Sequence, residues 1–375
     1  MSQRILLVTN DFPPRIGGIQ SYLRDFLFTL NPADICVFAS VQDPSAAVKH
    51  DAEFPIEVIR WPHKIMLPTP ATARRMQEII REKRIETVWF GAAAPLGLLA
   101  PHARAAGARC IIASTHGHEV GWSMLPGARH VLRRIGNSAD VVTYISEYTL
   151  GRFRPAMGNH PSYRHLPSGV DVELFHPLDT QQRQAVRQEH GFGSDPLVVC
   201  VSRLVPRKGQ DQLIRVWPRV IQRFPRARLV IIGSGRDGRR LAKLASQSGA
   251  SEQIHLLGSL DFDHLRALLA SADIAAVPVR TRGGGLDVEG LGIVYLEAQA
   301  SGVPVIAGDS GGAPETVTPE SGIVVPGKDQ DALYVALTDL LADPQRRRLM
   351  GEAGRRHVCQ NWTWDVMGQR LQALL

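Results

Sequence analysis

Residues 274–307, IAAVPVRTRGGGLDVEGLGIVYLEAQASGVPVIA, hold the order that decides the fold: an apolar run, a Gly-rich loop, a helical pattern over 293–300 and a second apolar run at 303–307. Continuous apolar runs on either side of a helix are the mark of a βαβ unit, because parallel strands are covered on both faces and lose the polar alternation of half-exposed ones. The same rhythm extends outward. Backwards it gives strands at 254–257, 229–232 and 197–201, and forwards one at 323–325. A separate series precedes it at 5–9, 35–39, 56–59, 87–90, 111–114, 141–145 and 163–166, and the polar, Pro-bearing stretch 169–195 lies between the two series.

Two doubly wound, Rossmann-like α/β domains follow, and a chain of 375 residues suits two cores of ordinary size. The expected division is 1–168 together with a C-terminal helix at 360–375 that crosses back, and 169–359 as the second domain. Ligands of open parallel sheets sit at the carboxyl ends of the strands, so the domains are expected to face each other across a deep cleft.

Composition narrows the class. With 44% hydrophobic and 21% charged residues the chain is an ordinary globular protein, and its net charge of +7 fits nucleic acid, an acidic membrane surface or a nucleotide substrate alike. Cys36, Cys110, Cys200 and Cys359 show no CxxC spacing and read as buried, reduced thiols. The first apolar run is short and no run approaches the ~18 to 20 residues of a bilayer span, so the expectation is a protein without leader or span, cytoplasmic or peripheral to a membrane.

Chemistry gathers in the loops. Glu289 and Glu297 flank a helix start at Ile293 whose free N–H groups would face an anion, and Gly290 and Gly292 let a ligand approach the backbone. Two hydroxyl acceptors around an anion site suit a phosphorylated sugar. After strand 197–201, SRLVPRKGQ places Arg203 and Lys208 where a diphosphate could be neutralised, although such a loop can equally be a solvated basic one. The first strand leads through NDFPPRIGGIQ to Gly17 and Gly18, either amide donors for phosphate or an ordinary helix start. In STHGHEVGW, His116, His118 and Glu119 lack the H-E-x-x-H spacing of a metal site, and a histidine here reads as a hydrogen-bonding group in a polar site. The G-x-G-x-x-G at 233–238 suggests a dinucleotide, but the next strand ends in Gly258-Ser259-Leu260 without the acid that a ribose needs, so a tight structural turn is the preferred reading.

Taken together, the Gly17-Gly18 loop, the His118 loop, Arg203 with Lys208, and E-x7-E from Glu289 to Glu297 resemble, over essentially the whole chain, the retaining glycosyltransferases of the two-domain GT-B type that carry an E-x7-E motif, glycosyltransferase family 4. The segments RILLVTNDFPPRIGGIQSYL, VWFGAAAPL, STHGHEVGWSMLPG, SRLVPRKGQD and RTRGGGLDVEGLGIVYLEA are similar to the branch that adds an α-1,6-linked mannose from GDP-mannose to phosphatidylinositol monomannoside. The resemblance implies that Gly17 and Gly18 contact the diphosphate through backbone, Arg203 and Lys208 neutralise it, and Glu289 binds mannose hydroxyls. It further implies that the amides of Gly292, Ile293 and Val294 face sugar and phosphate, that Glu297 binds the ribose, and that Leu260 meets guanine through backbone. His118 would line the reaction centre, with Asp11 and Gln20 on the acceptor side. The family is described by front-face substitution, in which the departing phosphate helps deprotonate the acceptor, and no metal or other cofactor is implied. Another donor or acceptor on the same fold, or a non-catalytic nucleotide-sugar or lipid-binding protein, are the alternatives.

A lipid acceptor implies contact with an anionic membrane surface, at the inner face of the plasma membrane, and no nucleic acid. The loop 61–68 is expected to expose apolar and basic groups. Residues 72–84 read as an amphipathic helix with Met76, Ile79 and Ile80 on one face and Arg74, Arg75, Arg81, Lys83 and Arg84 among its charges, which suits adsorption to lipid or an ordinary surface helix. Arg129, Arg133 and Arg134 could extend the patch.

Overall fold

The computed structural model describes residues 4–375, which divide into two compact units. One holds the described residues up to Ser168 together with Trp364–Leu375, and the other is Gly169–Thr363. The first unit contains a parallel seven-stranded sheet of β1 (Ile5–Thr9), β2 (Ile35–Ser40), β3 (Glu57–Trp61), β4 (Thr87–Phe90), β5 (Cys110–Ser114), β6 (Val141–Tyr144) and β7 (Ser162–His165), in the order β3-β2-β1-β4-β5-β6-β7. The second contains a parallel six-stranded sheet of β8 (Leu197–Val201), β9 (Arg228–Ile232), β10 (Ile254–Gly258), β11 (Ile274–Val277), β12 (Val305–Gly308) and β13 (Gly322–Val325), in the order β10-β9-β8-β11-β12-β13.

Each expected strand is present, because helices cover the sheets on both faces. Every residue of β1, β2, β4, β11 and β12 is buried. The edge strands β3 and β7 are partly exposed and carry Glu57, Arg60 and Arg164, charges that discourage pairing with another chain. Strand β12 begins at Val305 rather than 303, after Pro304, which has no N–H to give a ladder.

Strand order reverses between β1 and β4 in the first unit and between β8 and β11 in the second. Loops leaving the strands at such a point run to opposite faces of the sheet and leave a crevice between them. The candidate loops after β1 and after β8 and β11 therefore start at these two points.

The C-terminal helix Trp364–Gln372 returns to the first unit, where Trp364 meets the Phe26 ring edge-on at 5.1 Å and a Cβ on Gly368 would lie 2.7 Å from Cβ of Thr29. It starts later than 360, because the preceding helix Pro344–Asn361 continues within the second unit.

The helix Pro70–Lys83 decides between the two readings of its apolar stripe. Met76, Ile79 and Ile80 are at most 1% exposed and pack with Leu6, Val8, Phe38 and Val88 in the core of the sheet. Its apolar stripe serves the fold and is not offered to lipid. Arg75 pairs with Glu78 at 3.0 Å and Lys83 with Glu57 at 2.7 Å, while Arg74, Arg81 and Arg84 are exposed. The four cysteines are free, Cys36 and Cys200 buried, but Cys110 and Cys359 are only partly covered, contrary to the expectation of burial for all.

In the second unit a charge cluster ties the strand starts to the helices. Asp273, just before β11, accepts from Arg183 at 2.8 Å, Arg187 at 2.8 Å and the Leu197 N–H at 2.7 Å, and Arg347 lies 3.7 Å away. Burial alone would raise its carboxyl, but Arg187 and Arg183 hold it below the ordinary carboxylate range. Since the folded value lies below the unfolded one, this stabilisation is present above about pH 4 and is lost as acid protonates the group. Asp273→Ala strands Arg187 in a buried site and is expected to cost about 3 to 5 kcal/mol in urea unfolding at neutral pH. A loss below about 1 kcal/mol would show that the cluster does not hold the unit together.

Candidate active site

In the second unit, β8 runs into the short turn Pro206–Lys208 and then the helix Gln210–Arg223. Gly209 ends the turn at φ 76°, and a Cβ there would lie 2.0 Å from the carbonyl oxygen of Pro278, so only glycine lets the turn press against the end of β11. The Arg280 N–H donates to the Arg207 carbonyl at 2.8 Å, which sets the basic turn directly beside the Gly-rich loop.

That loop brings Glu289 onto the turn. Lys208 Nζ lies 2.7 Å from Glu289 Oε2, with both side chains about nine-tenths buried, and Arg207 Nε is 3.5 Å from the same oxygen. Burial would push the Glu289 carboxyl up, but Lys208, Arg207 and Arg203 together hold it below the usual carboxylate range. The group is thus an ionised, acceptor-only side chain at neutral pH. Its backbone is pinned as well: the Glu289 N–H donates to Ser310 Oγ at 3.3 Å and its carbonyl accepts from Gly312 N–H at 3.0 Å.

Gly292, at φ 95°, precedes the helix Ile293–Ala300, and no side chain caps it. The first-turn amides at Ile293 and Val294 are therefore donors without an intrahelical partner. Tyr295 anchors the helix from beneath, with its hydroxyl donating to the Val277 carbonyl at 2.5 Å. Glu297 stands one turn further along. Burial pushes its carboxyl up to about 7, and among the described residues no cation pairs with it. Arg203 is exposed, and among the described residues it makes no ion pair. Leu260 follows β10, two strands out from β8.

The G-x-G-x-x-G segment is a turn packed on the loop after β8. Leu204 N–H donates to the Ser234 carbonyl at 2.8 Å, Asp237 N–H donates to that of Leu204 at 3.0 Å, and a Cβ on Gly233 would lie 2.1 Å from the Ser202 carbonyl oxygen. Its glycines let two loops meet, and so shape the seat of Arg203.

The remaining candidates form a cluster in the first unit. Asp11 Oδ1 accepts from Gln20 Nε2 at 3.0 Å, and a Cβ on Gly17 would lie 2.3 Å from Gln20 Oε1, whereas one on Gly18 would meet nothing within 4 Å. The helix Gly18–Leu27 likewise begins with no side-chain cap. Burial raises the Asp11 carboxyl, with Arg15 and His118 opposing, so His118 is within electrostatic reach of it. His118 is exposed at the first position of the helix His118–Ser123. Its neighbours are structural: His116 Nε2 lies 2.6 Å from the Gly91 carbonyl oxygen and burial lowers its pKa to about 4, while Glu119 accepts from the His116 N–H at 3.0 Å. Among the described residues no group of three or more His, Cys, Asp or Glu side chains is arranged to hold a metal ion.

Arg207 is the site neighbour that sequence reading passed over. Beside Lys208 in an RK pair it carries no signal that separates it from a solvated cation, and only folding brings Asp287 and Glu289 to it.

Residues 16–174 match the family described as Glycosyltransferase Family 4, and residues 182–357 match Glycosyl transferases group 1. The chain is 59% identical, over 100% of its length and 98% of the relative's, to the GDP-mannose-dependent monoacylated alpha-(1-6)-phosphatidylinositol monomannoside mannosyltransferase of Corynebacterium glutamicum. A protein of Mycolicibacterium smegmatis, described as a GDP-mannose-dependent alpha-(1-6)-phosphatidylinositol monomannoside mannosyltransferase, is 54% identical over 99% of this chain and 98% of its own. Among solved structures, Anabaena Alr3699/HepE in complex with UDP superposes with a TM-score of 0.81 at 19% identity, covering 99% of each chain, a likeness of fold. With one relative this similar from end to end and both halves matched, the chain belongs to the family 4 glycosyltransferases of GT-B fold.

Proposed function

We propose that this chain is a retaining mannosyltransferase that moves mannose from GDP-mannose to phosphatidylinositol monomannoside in α-1,6 linkage, giving the dimannoside. The observation that carries the reading is the buried Glu289–Lys208 pair, 2.7 Å apart, at the point where strand order reverses and beside an uncapped helix start. The relatives' names supply the donor and acceptor.

In the reaction the bond between the anomeric carbon and the β-phosphate oxygen breaks, and GDP leaves with an added negative charge. Lys208, nine-tenths buried, meets that charge where a cation is worth more than in water, and the exposed Arg203 adds a second positive charge. Glu289, ionised, accepts hydrogen bonds from sugar hydroxyls, and the amides of Ile293 and Val294 face the phosphate. Gly17 and Gly18 offer backbone donors to the diphosphate, and Leu260 offers backbone to guanine. The acceptor hydroxyl forms the new bond on the same face and its proton passes to the departing phosphate oxygen. His118 lines the reaction centre, with Asp11 and Gln20 toward the acceptor. No residue then serves as a nucleophile, and no metal is required.

For a lipid acceptor the first unit has exposed apolar side chains beside cations. Met124 and Leu125, 39% and 59% exposed, precede the helix Pro126–Ser138 with its exposed Arg129, Arg133 and Arg134, and Ile65 and Leu67, 64% and 53% exposed, follow Lys64. This pattern suits peripheral binding to anionic lipid. Among the described residues no helix is long and apolar enough to cross a membrane.

The purified chain offered labelled GDP-mannose or UDP-glucose, with anionic vesicles containing phosphatidylinositol monomannoside, unmannosylated phosphatidylinositol or neither, is expected to sediment with the vesicles. It should yield a dimannosylated lipid only with GDP-mannose and the monomannoside. Transfer to another acceptor would overturn the assignment of substrate, and transfer to none would make the chain a binding protein. Lys208→Ala is expected to lower kcat/KM by about 2 to 4 kcal/mol of transition-state stabilisation, roughly 30- to 1,000-fold. Unchanged turnover removes Lys208 from the site. Because Glu297 is neutral below its pKa of about 7 and a carboxylate above it, GDP affinity measured by calorimetry should rise through that pH, and Glu297→Gln should flatten the profile. A parent profile without that rise would detach Glu297 from the ribose.

A further inference from the structure

Arg207 touches two carboxylates of the Gly-rich loop at once. Its Nε is 3.5 Å from Glu289 Oε2 and its Nη1 is 3.5 Å from Asp287 Oδ1. Asp287 and Glu289 are two residues apart, and both carboxylates reach the one guanidinium. The chain there is fixed on either flank: Arg282 N–H donates to the Asp287 carbonyl at 2.9 Å, and Gly312 N–H donates to that of Glu289 at 3.0 Å. The Arg207 carbonyl is held by Arg280 N–H at 2.8 Å. The guanidinium thus stands between two anchored acids, with its side chain 18% exposed.

Lys208 makes the close contact to Glu289, yet the proposed reaction asks Lys208 to meet the diphosphate. An ammonium is a single point charge, and its attention to a phosphate weakens its hold on the carboxylate. A carboxylate left buried without its cation is costly, and would turn or take up a proton. A guanidinium is a planar fork with several donors, and that of Arg207 can keep both acids in place while Lys208 turns away.

We propose that Arg207 is a positioning residue that keeps Glu289 set to receive the sugar of the nucleotide-sugar donor when Lys208 engages the diphosphate. This rests on the reading of the site as a GDP-mannose site. In this arrangement Arg207 acts through Glu289, which receives the sugar, so its effect is expected on the sugar half of the donor.

Calorimetric binding of GDP and of GDP-mannose to the parent, Arg207→Gln, Arg207→Lys and Asp287→Asn tests it. Arg207→Gln is expected to weaken GDP-mannose roughly tenfold while GDP stays within about twofold, and Arg207→Lys to recover part of the loss. Asp287→Asn, at a more exposed position, should show a smaller loss of the same kind and serves if the Arg207 variants fail to fold. Equal weakening of GDP and GDP-mannose, or no weakening of either, overturns the assignment. A parent that binds neither ligand overturns the donor itself, a result distinct from both.

Discussion

A buried carboxylate must be paired, and in this protein that requirement falls on Glu289. Its side chain is 9% exposed, and an isolated charge at that depth would protonate or unfold its surroundings. The pairing is local on one side and distant on the other. Arg207 and Lys208 come from one short turn after β8, while Glu289 and Asp287 come from the loop after β11, some eighty residues later. The two loops can meet because β8 and β11 are neighbours at the centre of the sheet. Close approach of backbone to backbone completes the arrangement, since a Cβ on Gly209 would strike Pro278 and one on Gly311 would lie 1.8 Å from the Glu289 carbonyl oxygen.

The same device serves both units with different chemistry. Each is a parallel sheet whose strand order reverses at the middle, and the candidate loops after β1, β8 and β11 start there, while His118 follows β5 and Leu260 follows β10. The second unit fills that place with fixed cations, an ionised carboxylate and a helix start, a set made for anionic and hydroxylic ligands. The first unit offers glycine backbone, a carboxyl raised by burial and an exposed histidine.

Much of this was legible in the chain. Parallel strands covered on both faces leave uninterrupted apolar runs, so the central strands stand out in the chain, while the ends of β3 and β12 differ from the apolar runs that mark them. The stripe of Met76, Ile79 and Ile80 leaves two readings open for a physical reason: a helix that faces a sheet and a helix that faces lipid obey the same periodicity. Only their burial against Leu6, Phe38 and Val88 separates the two. The G-x-G-x-x-G reads as a turn because the following strand lacks an acid, but its contact with Ser202 and Leu204 has no signal of its own. Arg207 was invisible for want of a partner.

The sequence by itself determined the alternation of strand and helix, the two domains, and the residue types able to meet a sugar nucleotide, because all of these depend on composition and spacing along the chain. Tertiary structure alone decided which cation holds which acid and which apolar stripe is core. It also decided that Glu289 is held ionised while Glu297, eight residues on, is pushed up to about 7. Desolvation and Coulomb energy depend on what surrounds a group in space, and the cations around Glu289 reach it only when β8 and β11 lie side by side.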